Sequence, residues 1–167
     1  IAVLMGGPDA ERDVSIRSGQ AVAAAISTAG WAVEQYVIDH IDKTDLAALS
    51  GDVIFPVLHG PWGVGGGLHT LLEADGRAYV GSTPDVAAVC MDKDRTKTIA
   101  AALGIVTPEW VLVKQPEPCP IAPPVAVKPH ADGSSIDLHL CSTQDDADAA
   151  VAAVTNSHGA ALVERWI

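Results

Sequence analysis

The segment IAVLMGGPDAERDVSI, residues 1–16, decides the fold of the first half of the chain. Its apolar run, residues 1–5, predicts a buried strand, and Gly6-Gly7 predicts a tight loop after it. Apolar residues at helical spacing predict a helix over 14–29, which Gly30 ends. A strand, a glycine turn and a helix in this order are typical of a parallel α/β sheet.

The same alternation continues to about residue 90. Further strands are predicted at 31–39, 52–58 and 78–80, helices at 45–49 and 68–75, and a glycine-rich loop at 59–67. The third strand is rich in Val, Ile and Phe, which is typical of a strand covered on both faces. We therefore predict a doubly wound, parallel, Rossmann-like domain over residues 1–90. One long helix is predicted at 84–104.

The second half of the chain has a different pattern. Strands are predicted at 110–113, 125–127, 138–140 and 161–167, with an alanine-rich helix at 143–154. The acidic first turn of that helix suits the helix dipole. We predict a small α+β domain with antiparallel strands over residues 91–167, with the domain boundary near 88–92.

Composition and charge exclude several functions. The net charge of −11 repels phosphate backbones, so no nucleic-acid partner is expected. The sequence has no apolar run of about 18 residues, so no membrane span is expected, and no signal peptide is recognised. Three cysteines without a CxxC pair indicate neither a disulfide framework nor a zinc site. We expect a cytoplasmic protein and, because the sequence begins with Ile1, part of a longer gene product.

The segment VAVKPHADGSS, residues 125–135, is a candidate anion site. A strand brings Lys128 to a loop that contains Ser134 and Ser135. Backbone N–H groups of such a turn can surround phosphate oxygens, and the lysine supplies charge. The alternative is a polar surface hairpin with an incidental lysine.

The segment MDKDRTK, residues 91–97, places Lys93 and Lys97 on one helix face. They form either a pair that faces phosphate or a solvated face partnered by Asp92 and Asp94.

Three further candidates follow predicted strands or lie in one. Glu11 follows the first strand, where it can hold a substrate ammonium group; the alternative is helix capping by Asp9 or Asp13. His59 follows the third strand and either orients a carboxylate or is structural. The segment VERWI, residues 163–167, either lines a flat aromatic ligand such as adenine or is a core strand.

Seven segments in order resemble the D-alanine–D-alanine ligase family of the ATP-grasp superfamily, over essentially the whole chain. They are GGPDAERDVSIRSG, DVIFPVLHG, YVGS, MDKDRTK, TPEW, VAVKPHADGSSI and VERWI. The resemblance implies an incomplete ATP-grasp fold in which residues 91–167 form the small domain that covers ATP. It also implies ligation of two D-alanines through an acyl phosphate, for peptidoglycan precursor synthesis. ATP and Mg²⁺ are the implied cofactors, D-alanine and ATP the partners, and family members commonly form homodimers.

The resemblance also implies roles for individual residues. Glu11 matches the catalytic glutamate that binds the ammonium of the first D-alanine, Ser134 matches the serine linked to it, and His59 matches a histidine beside that site. The implied ATP-binding residues are Lys93, Lys128, Ser134, Ser135, Glu164, Arg165, Trp166 and Ile167.

The sequence departs from the family at several positions. Val64, Gly65 and His69 stand where the family has an acidic pair and a glutamine, and Asp132 stands for a glutamate. Asp137 replaces a glycine, which is expected to add negative charge and remove backbone freedom near phosphates.

The family's chains also continue past the last strand with the magnesium ligands, so no metal ligand is expected here and the chain alone is not expected to be active. Two other hypotheses stay open. One is a related ATP-grasp ligase for another amino or hydroxy acid, and the other is a non-catalytic nucleotide-binding relative.

Overall fold

The computed structural model describes residues 1–167 and divides into two compact units, Ile1–Ala88 and Val89–Ile167. Each unit is built around its own four-stranded sheet. None of the helices is both long and apolar enough to span a bilayer.

The first unit alternates strands and helices along the chain. Its elements are β1 (Ala2–Gly6), α1 (Arg12–Thr28), β2 (Glu34–Ile38), α2 (Lys43–Ala48), β3 (Val53–Pro56), α3 (Gly60–Val64), α4 (Gly67–Asp75) and β4 (Ala78–Tyr79). Helix α5 (Pro84–Met91) follows, and the boundary between the two units falls within this helix, after Ala88.

The predicted parallel, doubly wound sheet is confirmed. The strand order is β2-β1-β3-β4, and every neighbouring pair is parallel. Successive side chains of β1 point to opposite faces. Leu4 packs on one face in a cluster with residues of α2 and α4, while Val3 and Met5 pack on the other face with Ala23 of α1. All of β1 is therefore buried.

The second unit contains α6 (Lys93–Ala102), β5 (Trp110–Val113), β6 (Val125–Pro129), β7 (His139–Cys141), α7 (Gln144–His158) and β8 (Ala161–Arg165). Its sheet is antiparallel with the order β5-β8-β6-β7, as predicted. Helix α7 covers one face, where Val127 and Val163 pack against Val151 and Val154. The alternate residues of β6 and β8, among them Lys128 and Glu164, point to the other face.

Two predicted elements are wrong. The pattern at 84–104 forms two helices because the carboxylate of Asp92 accepts hydrogen bonds from the backbone N–H groups of Asp94 and Arg95, at 3.0 and 3.1 Å, and so caps a new helix. The predicted loop at 59–67 contains α3, which Pro61 favours by standing in its first turn. The strand ends also differ slightly from the prediction. For example, β8 ends at Arg165 rather than at residue 167.

Candidate functional site

Two cavities lie in the second unit and share Lys93 and Lys128. The loop cavity, of about 200 Å³, is bounded by the glycine-serine loop, residues 132–137. The sheet cavity, of about 300 Å³, is bounded by Leu162 and Glu164 of β8 and by Lys97 of α6. Residues of β6 and α6 thus place cationic side chains around both cavities, and β8 adds a carboxylate to the sheet cavity.

The glycine-serine loop has an unusual backbone. Ser134, Ser135 and Asp137 all adopt left-handed conformations, with φ of 49°, 57° and 49°. Each such residue costs on the order of 1–3 kcal/mol, and such residues cluster at ligand clamps and active sites. The loop is held from α6, because Lys93 Nζ donates a hydrogen bond to the carbonyl oxygen of Asp132 and the Lys93 N–H donates to that of His130.

Asp137 fits the loop better than the sequence indicates. Aspartate is among the few residues other than glycine that tolerate the left-handed region, so the expected loss of backbone freedom is accommodated. Its carboxylate also accepts a hydrogen bond from His158 Nε2 at 2.5 Å, and His158 Nδ1 lies 3.9 Å from a carboxylate oxygen of Asp132. The loop is therefore attached to the last turn of α7.

Glu164 is held between two lysines. Lys97 Nζ donates to its Oε2 at 2.9 Å, and Lys128 Nζ donates to its Oε1. Burial alone would raise the pKa of Glu164, but the hydrogen bonds and charges of Lys128 and Lys97 outweigh it and hold that pKa below its usual range. Burial, and then the charge of Lys128, lowers the pKa of Lys93. Two of these three cations thus share one carboxylate, and a net positive charge remains among the four groups.

Lys93 and Lys97 form neither of the two arrangements considered from the sequence, a pair that faces phosphate or a solvated helix face partnered by Asp92 and Asp94. Lys97 is buried and bonded to Glu164, so the helix face is not solvated. Asp92 caps α6, and Asp94 accepts a hydrogen bond from Trp110 Nε1 at 2.9 Å, so neither aspartate partners a lysine. Of the two lysines, only Lys93 lines the loop cavity.

The residues after Glu164 lie at the end of β8. Arg165 Nη2 pairs with Glu109 at 2.9 Å, and the Trp166 N–H donates to the carbonyl oxygen of Pro124 at 3.1 Å. Trp166 is 44% exposed and Ile167 is 95% exposed, so neither belongs to a core strand.

A second site candidate lies in the first unit, at the carboxyl ends of β1 and β3. The connections from β1 and β3 run in opposite directions along the sheet, and ligands of such sheets bind at that switch point. Ser15 joins the two strand ends, because its hydroxyl accepts from the Gly6 N–H at 2.9 Å and donates to the Val57 carbonyl at 2.6 Å. Sequence reasoning missed Ser15, although its place on the strand-facing side of α1, just after a glycine turn, is a usable signal.

The turn before Glu11 is fixed by Arg12. Its Nη1 donates to the carbonyl oxygens of Gly7 and Ile38, each at 2.9 Å. Gly6 has φ of +99°, and a Cβ there would lie 2.5 Å from the Ile38 oxygen, so only glycine fits. Glu11 itself is the residue before α1 and does not cap the helix.

Two buried polar atoms lack partners at this same edge. They are Oδ2 of Asp9 and Nε2 of His59. A Cβ on Gly60 would lie 2.4 Å from the Cβ of Asp9, so the glycine lets Asp9 lie against the start of α3. Capping by Asp9 is thus not seen, and unsatisfied buried polar atoms of this kind favour a polar ligand.

Comparisons with known proteins show which proteins this chain resembles. No family model matches the chain. The D-alanine–D-alanine ligase of Hydrogenovibrio crunogenus is 36% identical over 172 residues, which cover all of this chain and 55% of that protein. The structure of the D-alanine–D-alanine ligase from Coxiella burnetii is similar with a TM-score of 0.87 and 25% identity, covering 99% of this chain and 63% of that one.

Along its whole length the chain is similar to D-alanine–D-alanine ligases. It spans about half the length of the curated relatives it matches. The VanG D-Ala:D-Ser ligase of Enterococcus faecalis is also similar, with a TM-score of 0.83 and 25% identity, covering 99% of this chain and 62% of that one.

The departures from the ligase pattern near the first-unit site bring no charge to it. Val64 ends α3, and the Gly65 N–H closes that helix on the Pro61 carbonyl oxygen. His69 lies inside α4, is 6% exposed, and packs edge-on against Tyr79. Burial lowers the pKa of His69, so its neutral form is favoured.

The ligases use ATP and Mg²⁺ in general. The cavities of the second unit fit the nucleotide, because they hold lysines, a turn of backbone N–H groups and a carboxylate. No group of three or more His, Cys, Asp or Glu side chains is placed to hold a metal ion.

Proposed function

We propose that this chain binds ATP and the first D-alanine in an ATP-dependent D-alanine–D-alanine ligase. The observation that carries the proposal is the arrangement of Lys93, Lys128 and Glu164 around two cavities that share both lysines, beside a loop of left-handed serines. In this proposal, residues 1–90 form the N-terminal domain and residues 91–167 form the small ATP-grasp domain.

ATP is proposed to bind along the two cavities. Its phosphates lie in the loop cavity, where Lys93, Lys128 and the backbone N–H groups at Ser134 and Ser135 neutralise and orient them. Its adenine lies in the sheet cavity, where Glu164 accepts from the 6-amino group. Arg165, Trp166 and Ile167 are proposed to border the base. Phosphoryl transfer depends mainly on positioning and charge neutralisation, which these groups supply.

The first D-alanine is proposed to bind at the carboxyl edge of the first unit's sheet. Glu11 holds its ammonium group, and Nε2 of His59, which is buried without a partner, orients its carboxylate. ATP phosphorylates that carboxylate to an acyl phosphate. The amine of a second D-alanine attacks the acyl carbon, and phosphate leaves. Ser134 is the proposed catalytic residue of the loop, which also excludes water from the acyl phosphate.

The test uses the protein in its natural length with ATP, Mg²⁺ and D-alanine. We expect ADP and D-alanyl-D-alanine in equal amounts, measured by a coupled assay and mass spectrometry. L-Alanine in place of D-alanine is the control and should give neither product. Equal ADP production with D-alanine omitted would contradict the proposal. Light scattering on the same sample tests the proposed homodimer.

A second candidate is ligation of D-alanine to another amino or hydroxy acid. It is favoured by the uncharged positions Val64 and Gly65, by the buried His69, and by the similarity to a D-Ala:D-Ser ligase. D-Serine and D-lactate in competition with D-alanine decide between the two. ATP binding without turnover under all these conditions would instead indicate a non-catalytic relative.

A further inference from the structure

Lys97 is a buried lysine, at 8% exposure. A buried charge needs compensation, since its desolvation is costly. Lys97 obtains it from three groups. Its Nζ lies 2.9 Å from Glu164 Oε2, 2.6 Å from Thr107 Oγ1 and 5.0 Å from the centre of the Trp110 ring. The ammonium group is thus held in one place.

Lys97 and Lys128 both bond to Glu164, but they do not line the same cavities. Lys128 lines both the sheet cavity and the loop cavity, whereas Lys97 lines only the sheet cavity. A ligand with phosphates in the loop cavity attracts Lys128 away from the carboxylate. Lys97 is then the group that still holds Glu164, and it does so on the other oxygen.

Glu164 keeps acceptor capacity while it is held. Each carboxylate oxygen has two lone-pair positions, and each takes one lysine hydrogen bond here. A carboxylate fixed by Lys97 can therefore accept a hydrogen bond from an exocyclic amino group. It cannot receive a carbonyl oxygen at the same place, because both groups are acceptors.

We propose that Lys97 is a positioning residue that fixes Glu164 as the acceptor for the 6-amino group of adenine and so sets the base specificity of the nucleotide site. The proposal rests on the proposed function, in which the sheet cavity holds adenine. It assigns to the second lysine of MDKDRTK a role distinct from that of Lys93.

The experiment measures kcat and KM for ATP and for purine riboside triphosphate, which lacks the 6-amino group. In Lys97→Met we expect the ratio of kcat/KM for ATP to that for the analogue to fall by about tenfold or more, because a hydrogen bond to a charged group is lost. The loss should come through the KM for ATP. Lys97→Arg, which keeps the charge, should restore part of the ratio.

Lys114→Met is the matched control, because Lys114 is an exposed lysine of the same unit that lines neither cavity. Its ratio of kcat/KM for ATP to kcat/KM for the analogue should equal that of the unchanged protein. Thr107→Val covers the case in which Lys97→Met does not fold, since it removes one anchor of Lys97 and keeps the charge. It should lower the ratio severalfold.

A ratio unchanged in Lys97→Met, or in Thr107→Val where the first does not fold, would overturn the inference, even if both kcat/KM values fell together. That result differs from failure of the proposed function, in which the unchanged protein forms no dipeptide from ATP and D-alanine.

Discussion

The two units use the alternation of strand side chains in opposite ways. In the first unit both faces of the sheet are covered, by α1 on one side and by α2 and α4 on the other. Functional groups can then lie only where the strands end, in loops such as those that carry Glu11 and His59. In the second unit α7 covers one face, and Lys128 and Glu164 project from strand interiors on the other. The number of covered faces thus decides whether a site is built on loops or on strands.

This difference also affects how the site residues are held. Lys128 and Glu164 stand on neighbouring antiparallel strands, so hydrogen bonds of the sheet fix their spacing. Glu11 is positioned instead by the turn that Arg12 ties to the end of β2. We therefore expect changes on the strands to act on the nucleotide and changes at the strand ends to act on the amino acid.

The largest effect is expected for Lys128→Met. Lys128 lines both cavities and bonds to Glu164, so its loss removes phosphate neutralisation and disturbs the base site together. We expect ligase kcat/KM for ATP to fall by about 10²- to 10³-fold, the usual loss for one preorganised charge-stabilising donor. Steady-state kinetics check this, with Lys43→Met, an exposed lysine of the first unit, as the control. A loss below tenfold would remove Lys128 from the phosphate site.

A smaller effect, limited to the binding of D-alanine, is expected for Glu11→Gln. Removing the carboxylate charge should raise the KM for the first D-alanine by about 10- to 100-fold, since a charge-assisted hydrogen bond is weakened. The dissociation constant of a fluorescent ATP analogue should stay the same. Glu34→Gln on β2, where the side chain is exposed, is the control. If Glu11→Gln weakened nucleotide and D-alanine binding equally, the separation of the two sites by unit would be wrong.

Much of the division into two units with different sheets could be predicted from the sequence, because it depends on local patterns. The apolar run at 1–5 followed by Gly6-Gly7 predicts β1 and its turn, and the acidic first turn predicts the start of α7. The break at Asp92 was missed because apolar periodicity continues across it, although an aspartate before a polar turn is itself a capping signal.

The role of Lys97 could not be predicted in this way. Helical spacing places Lys93 and Lys97 on one face, but the partner of Lys97 is 67 residues away on β8. Which lysine turns inward depends on how α6 packs against the sheet, and that is a nonlocal property. Likewise, the partner of Asp137 is His158, 21 residues further along the chain.

An intermediate effect is expected at the glycine-serine loop. Asp137→Gly keeps the left-handed conformation but removes the hydrogen bond to His158. We expect phosphate release without dipeptide formation to rise by about two- to fivefold, because an exposed pair of this kind contributes at most about 1 kcal/mol to holding the loop. Parallel assays of phosphate and dipeptide measure this.

His158→Ala is the matched variant, because it breaks the same contact from α7. It should have at least the effect of Asp137→Gly, because it also removes the approach of His158 to Asp132, and the double variant should add nothing to His158→Ala. Additive effects of the two changes would show that the contact does not hold the loop.

The smallest effect is expected in the pH dependence of stability in the first unit. Because burial lowers the pKa of His69 in the folded state, the unfolded chain takes up a proton near pH 6.5 while the folded chain does not. The contribution of neutral His69 is thus complete above about pH 6.5 and is lost as the pH falls toward the folded pKa. His69→Gln should remove this dependence, whereas His40→Gln, at an exposed histidine, should keep it. Urea midpoints at neutral and mildly acidic pH measure the difference. If His69→Gln keeps the full pH dependence, His69 is not the group that makes the stability depend on pH.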